Sequence, residues 1–339
     1  MKKIILFLFI LTILSCNTKD KYTITGQFSE NQNEEWIYLQ KVFSQDIILD
    51  SARIINGRFE FKGSIKQPEI YALSNHWQRS KGVCLFILEP SDLKVTINPN
   101  NFQNMGDAVL GGKFNNEFHK YSINRDEKFT NKIQRLSKEL QTAREEDKSA
   151  FSNQIDSLFL AQQDYALDYV IKHQDSPVSI SLYMWIYGKL SLAEQGEMLE
   201  TLSPLKDMTV YKKIKSDYET QLALVDRTPA VKNTDSISYE EISINSNVIK
   251  SLIQNSPDKI LYIESWSTHC GNCFKEFPYS NILYDKFKNE VEFVYLCIYA
   301  KNENEWKEKI REYNLSGQHY LLNTNLGDQY YSEIGIKKI

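Results

Sequence analysis

The sequence predicts a multidomain chain: an N-terminal antiparallel β-sandwich-like domain, a helical middle region and a C-terminal α/β domain. Three observations carry this. Up to Gly112, short runs alternating polar and apolar residues are punctuated by turn residues. From residue 113 to 225 the apolar spacing becomes helical. From residue 239 onward, strand-like and helix-like runs take turns, which implies parallel strands joined by crossover helices.

In the first domain (residues 22–112), strands are expected at Tyr22–Thr25, Trp36–Leu39, Ile47–Leu49, Arg58–Phe61, Gly82–Leu88 and Lys94–Ile97. Asn56-Gly57, lying between Ile54-Ile55 and Phe59, is a hairpin signal because both residues accept positive φ. In the helical region (residues 113–225), Ile133, Leu136 and Leu140 share one face, as do Phe151, Ile155, Leu158 and Phe159. Breaks fall at Asp175-Ser176-Pro177 and Ser203-Pro204, and the charge-rich Ala143–Lys148 reads as a solvated turn or helix face. Residues 226–238 are polar and read as a linker. In the last domain (residues 239–339), the expected order is helix Val248–Gln254, strand Lys259–Trp266, helix Cys270–Lys288, strand Val291–Tyr299, helix Glu303–Tyr313, strand Tyr320–Leu322 and helix Leu326–Ile334.

The bulk numbers limit function. With 339 residues, 42% of them apolar, the chain supports two or three cores. A net charge of −4 without a basic cluster does not point to nucleic acid. Beyond the N-terminus no run approaches the roughly 18 apolar residues that span a bilayer.

The N-terminus itself reads as an export signal. Lys2 and Lys3 precede the apolar run Ile4–Leu14, followed by Ser15 and Cys16, so residues 1–15 are expected to be a signal peptide. Ile13-Leu14-Ser15-Cys16 resembles a bacterial lipobox, which implies acylation of Cys16, with residues 16–21 as a lipidated tether. The competing reading is an ordinary leader with an incidental cysteine. The expected location is the cell envelope, lipid-anchored and facing the periplasm, with the membrane contacted only through the lipid.

Export makes the remaining thiols chemically interesting. Cys84 and Cys297 lie in apolar strand-like runs and read as small buried hydrophobes. Cys270 and Cys273 differ: they follow a strand that ends in Trp266 and open a helix. Two thiols three positions apart at a helix N-terminus can close and open a disulfide with little backbone movement, and the free N–H groups there stabilise the attacking thiolate. A zinc site would need two further ligands; His269 is too close to Cys270 for a tetrahedron and His319 is isolated, so no metal and no cofactor is expected. A peroxiredoxin reading is weak: that chemistry wants a Pro-x-x-x-Thr-x-x-Cys loop, and Thr268 stands only two residues from Cys270.

With these residues on the page, the segment Lys259–Pro278 resembles the active-site segment of the thioredoxin superfamily, most closely its membrane-tethered TlpA/ResA-type branch. It carries a strand, then Trp266-x-x-x-Cys270-x-x-Cys273, Lys275-Glu276 and Pro278. The β-rich domain and helices ahead of it resemble the N-terminal half of Bacteroidetes envelope lipoproteins that bear such a domain. The resemblance implies a redox disulfide Cys270–Cys273, with Cys270 attacking and Cys273 resolving. It also implies exchange with exported protein thiols and disulfides, and an unidentified membrane or periplasmic electron donor. Glu264, six residues before Cys270, matches the position of a proton-relaying carboxylate on a central strand; an edge or solvent-facing strand residue is the alternative. Trp266 is expected to pack beneath the site. His269 could stabilise the Cys270 thiolate when protonated, or simply sit exposed.

Two departures from the family pattern qualify this. Gly271-Asn272 stands between the cysteines, so the direction of transfer does not follow. No proline occurs after Pro278, where the family places a cis-proline loop. The α/β domain is therefore expected to be incomplete at its C-terminus, with an uncovered sheet face and a raw edge. The alternative function is a binding or assembly lipoprotein whose thioredoxin-like domain is inert.

Overall fold

The computed structural model describes residues 20–30, 35–43, 48–74, 84–98, 108–227, 247–300, 302–322 and 324–335. The expected signal peptide, Cys16, nearly all of the linker and the last four residues lie outside the described residues. The chain divides into two compact units, one up to Leu158 and the other from Phe159.

The first unit is β-rich. Its strands are β1 (Lys21–Phe28), β2 (Trp36–Lys41), β3 (Ile48–Arg53), β4 (Arg58–Ser64), β5 (Glu69–Ser74), β6 (Cys84–Leu88), β7 (Asp92–Ile97) and β8 (Val109–Leu110). They form two four-stranded sheets, ordered β4-β1-β7-β8 and β3-β2-β5-β6. Strict alternation builds the core: on β1, Tyr22 and Ile24 turn inward while Thr25 and Gln27 face out, and β7 repeats the pattern with Leu93, Val95 and Ile97. Side chains from both sheets meet in one cluster that includes Ile24, Leu39, Phe61, Leu73, Phe86 and Val95.

The sandwich is not wholly antiparallel, which corrects the expectation. β1 pairs with β7 in parallel, Thr23 opposite Asp92 through Phe28 opposite Ile97, while every other pair in the unit is antiparallel. The physical reason is connectivity: all of β2–β6 intervenes between these two strands, long enough for a crossover that a hairpin cannot make. The Asn56-Gly57 turn forms as expected, with φ of 51° and 73° and Ile55 bridged to Arg58. It delivers the chain from β3 in one sheet to β4 in the other.

A carboxylate ties the sheets to the first helix. Glu89, 5% exposed, accepts the N–H groups of Lys113, Phe114 and Asn115 at 2.9, 2.9 and 3.1 Å, capping α1 (Lys113–Arg125). The Asn115 side chain exchanges hydrogen bonds with Ile87 N–H and C=O, locking the helix to β6. A π-helical turn over Asp126–Thr130 joins α1 to α2 (Asn131–Thr142). The following helix, α3 (Glu145–Lys172), contains the unit boundary.

The second unit holds α4 (Pro177–Ile186), α5 (Leu192–Thr201) and α6 (Thr209–Arg227), then α7 (Val248–Asn255), β9 (Ile260–Ser267), α8 (Gly271–Phe287), β10 (Val291–Tyr299), α9 (Glu303–Glu312), β11 (Gln318–Leu321) and α10 (Thr324–Glu333). Starts follow capping chemistry: Ser176 caps α4 with Pro177 at its first position, and Ser191 and Glu194 form a capping box on α5. The three strands are parallel in the order β11-β10-β9. Both faces are covered, which corrects the expectation of a bare one. Phe274, Phe277, Trp306 and Ile310 of α8 and α9 pack on one face; Val248, Leu252, Leu326 and Tyr330 of α7 and α10 pack on the other. Among the described residues the sheet ends at β9 on one side and at β11 on the other. Glu264 thus lies on an edge strand and not the central one, because β10 is the strand with two partners.

Candidate functional site

The site is built where β9 ends. Tyr262, Glu264 and Trp266 alternate toward α8, while Leu261 and Ile263 join the apolar cluster on the opposite face. Past Ser267 the chain turns: Cys270 N–H donates to Ser267 O at 3.0 Å and Thr268 N–H to Tyr299 O at 3.0 Å. Cys270 then serves as the N-cap of α8, its Sγ accepting the Cys273 N–H at 3.2 Å. Cys270 and Cys273 are bonded as a disulfide with a Cα–Cα separation of 5.3 Å. Both are half-buried, and Asn272 between them is exposed. Sulfur therefore sits at the positive end of a 17-residue helix, where a thiolate is favoured.

Aromatic side chains hold the helix in place. Trp266, 1% exposed, meets Phe277 edge-on at 5.2 Å, and Phe274 stacks on Tyr313 at 5.1 Å. Trp266 thus packs against the cysteine-bearing helix. Pro278 is buried inside α8; lacking an N–H, it frees one carbonyl of the preceding turn.

Two ionisable side chains flank the cysteines. Glu264 accepts Ser280 Oγ–H at 2.6 Å and Tyr262 Oη–H at 3.3 Å. Burial raises its pKa above the ordinary carboxylate value, and these two hydrogen bonds oppose the rise. Glu264 turns toward the cysteine-bearing helix and is half-buried, while its strand lies at an edge of the sheet among the described residues, the edge half of the alternative reading. His269 does not hang free. Its Nδ1 lies 3.1 Å from Thr268 Oγ1, its Nε2 lies 3.9 Å from Glu305 of α9, and its ring is 5.4 Å from that of Tyr299. Thr268 Oγ1 also donates to Glu305 at 3.1 Å, so α9 fixes the residue that precedes Cys270.

Other predicted residues fall elsewhere. Cys84 lies in the core of the β-rich unit and Cys297 in the core beneath the cysteine-bearing helix; neither is in a disulfide, and burial pushes the pKa of each thiol up to about 12. Cys16 lies outside the described residues. Among the described residues, no cluster of three or more His, Cys, Asp or Glu is arranged to hold a metal ion, and no helix is long and apolar enough to cross a membrane.

The sequence reading missed four contributors. Ser280 stands seven residues past Cys273 on the same helical face, a spacing that would have marked it. Glu305 carries no local signal. Tyr187 and Gly188 belong to a single 3₁₀ turn, Tyr187–Lys189, that follows α4 and packs against α8. Lys275 Nζ donates to Tyr187 Oη at 2.8 Å and lies 4.6 Å from the Tyr187 ring centre.

Comparison with protein-family models matches residues 22–118 to DUF4369, a domain of unknown function. The matched span ends inside α1, and so takes in the Glu89 cap and Asn115. No curated protein and no solved structure matches the chain. The similarity to known families thus covers the β-rich region, while the cysteine pair lies in the α/β region beyond it.

Proposed function

We propose that the chain is an envelope-anchored thiol–disulfide oxidoreductase, working through Cys270 and Cys273 in a thioredoxin-like α/β domain. One observation carries the reading: a half-exposed cysteine pair, closed as a disulfide, at the N-terminus of a long helix directly after a parallel strand. The helix N-terminus stabilises Cys270 as a thiolate and so makes it both a nucleophile and a leaving group. In the oxidised state, a partner thiolate attacks Cys270 Sγ, the Sγ–Sγ bond breaks, and Cys273 departs as a thiolate. The partner's second thiolate then attacks its own sulfur in the mixed disulfide and releases Cys270. The partner loses two electrons and becomes a disulfide, the pair gains them, and the sequence runs equally in reverse. Glu264, its pKa raised, is the proton acceptor and donor for Cys273 in this reading. Cys16 supplies the anchor, and the partners are exported protein thiols and disulfides.

The test is a trap. In the full chain with Cys273→Ala, Cys270 should accumulate mixed disulfides with envelope proteins, visible as reductant-sensitive adducts in the membrane fraction. Glu264→Gln should slow resolution of such adducts in a chain that keeps both cysteines. Absence of adducts, together with no reduction of insulin disulfides by the unaltered chain, sinks the reading. A second reading, ligand or partner binding by the β-rich unit, is favoured by an open groove of about 940 Å³ lined by Thr25, Arg53, Arg58, Lys94 and Thr96. Binding there should survive Cys270→Ser.

A further inference from the structure

The middle helices do more than connect. α4–α6 belong to the same compact unit as the cysteine pair and are fastened to the α/β elements at three points. Leu192 N–H, at the start of α5, donates to Glu312 of α9 at 2.6 Å, and the Leu192 side chain enters the core beneath the site. Tyr218 of α6 packs against that same core. The third point is the turn Tyr187–Lys189, where Tyr187 receives Lys275 and also donates to Asp217 of α6, which is itself ion-paired with Lys213.

This turn brings backbone against backbone at the cysteine pair. A Cβ added to Gly271 would collide with the Gly188 carbonyl and reach within 2.9 Å of Gly188 Cα; a Cβ added to Gly188 would meet Gly271 Cα at 3.4 Å. Gly271 is therefore closed over by the turn, and its lack of a side chain is what allows the approach. Asn272, the other residue between the cysteines, is exposed. A reacting sulfur needs an open line to Cys270 Sγ, and here one side of the Cys270–Cys273 loop is occupied by another part of the same chain.

We propose that the Tyr187–Lys189 turn is the specificity-determining wall of the redox site. It shuts the Gly271 side against folded protein surfaces and leaves the Asn272 side to small or extended thiol partners. Tyr187, clamped by Lys275, holds the wall in place. This inference rests on the oxidoreductase reading, since it assigns a substrate class to that pair.

The experiment compares two dithiols, dithiothreitol and a reduced folded thioredoxin, as reductants of the Cys270–Cys273 disulfide in the full chain. The unaltered chain should favour dithiothreitol strongly. Tyr187→Ala, which removes the clamp, should raise the thioredoxin rate about tenfold relative to the dithiothreitol rate, the size expected for losing one cation–π contact that holds the turn shut. Tyr187→Phe keeps the ring against Lys275 but loses the hydrogen bonds to Lys275 and Asp217, and should give a ratio between that of the unaltered chain and that of Tyr187→Ala. Should Tyr187→Ala fail to fold, Lys275→Met removes the same contact from the other side and must show the same shift. A ratio that Tyr187→Ala or Lys275→Met leaves unchanged overturns the wall while leaving the oxidoreductase reading intact. Failure of both dithiols to reduce the unaltered disulfide overturns both.

Discussion

The two units differ in degree in how their buried polar groups are paired: the β-rich unit leaves Ser91 Oγ and Ser122 Oγ without partners among the described residues, yet centres on a paired carboxylate. In the β-rich unit, the prominent buried polar side chains close on partners: Glu89 collects three N–H groups and the Asn115 amide, and Asn115 answers the Ile87 backbone in both directions. In the α/β region, the core beneath the cysteines leaves Trp266 Nε1, Asn281 Oδ1, Tyr295 Oη, Tyr313 Oη and His319 Nδ1 buried without hydrogen-bond partners among the described residues. Each such atom forfeits its hydration without compensation, a cost of about 1–3 kcal/mol. The first unit is assembled around a satisfied polar lock; the second is assembled around aromatic mass. The contrast teaches that the α/β region adds packed aromatic mass, with some polar atoms left unpaired, to the hydrogen bonds that hold its helix N-terminus.

The contrast breaks or sharpens under three substitutions. The largest effect is expected at the lock: Glu89→Ala strands three N–H groups at the start of α1 and should cost about 4 kcal/mol in equilibrium urea unfolding of the full chain. A cost below about 1 kcal/mol would show that water replaces the carboxylate and that the lock is ornamental.

Next comes pH. Burial lowers His319 to about 4, its ring stacked on Tyr295 at 5.1 Å. The unfolded chain, with His319 near 6.5, binds the proton first as pH falls. Stability is therefore full above about pH 6.5 and lost progressively down to about pH 4, a change of about 3 kcal/mol from this residue. His319→Leu should flatten that slope, whatever it does to the absolute stability. A slope that persists in His319→Leu assigns the acid sensitivity to other groups.

The smallest effect has the opposite sign. Tyr295→Phe removes a buried hydroxyl that has no partner and should leave stability unchanged or raise it by about 1 kcal/mol. If Tyr295→Phe instead costs as much as Glu89→Ala, the two units do not differ in the way described.

Much of the architecture was legible in the sequence. The seven elements from α7 to α10 were readable in order because a covered parallel sheet forces apolar strands to alternate with amphipathic helices, and both patterns are local. β5 was not readable: Glu69–Ser74 is buried throughout, so no alternation marks it. The β1–β7 parallel pair was not readable either, since nothing in one strand names a partner that far along the chain. At the site, Cys270 and Cys273 declared themselves through spacing, and Trp266 through its place at the strand end. Gly188 did not, because a glycine selected by a distant backbone looks like any other turn glycine.

The sequence by itself determined the cysteine pair, the strand and helix that present it, and the order of elements around it. These follow from periodicity, capping and turn chemistry, which act over a few residues. Only the tertiary structure decided that Glu264 faces α8 from an edge strand, that Glu305 reaches back to His269, and that the Tyr187–Lys189 turn closes over Gly271. Those are contacts between segments far apart in the chain, fixed by how whole faces pack, and no local pattern encodes them.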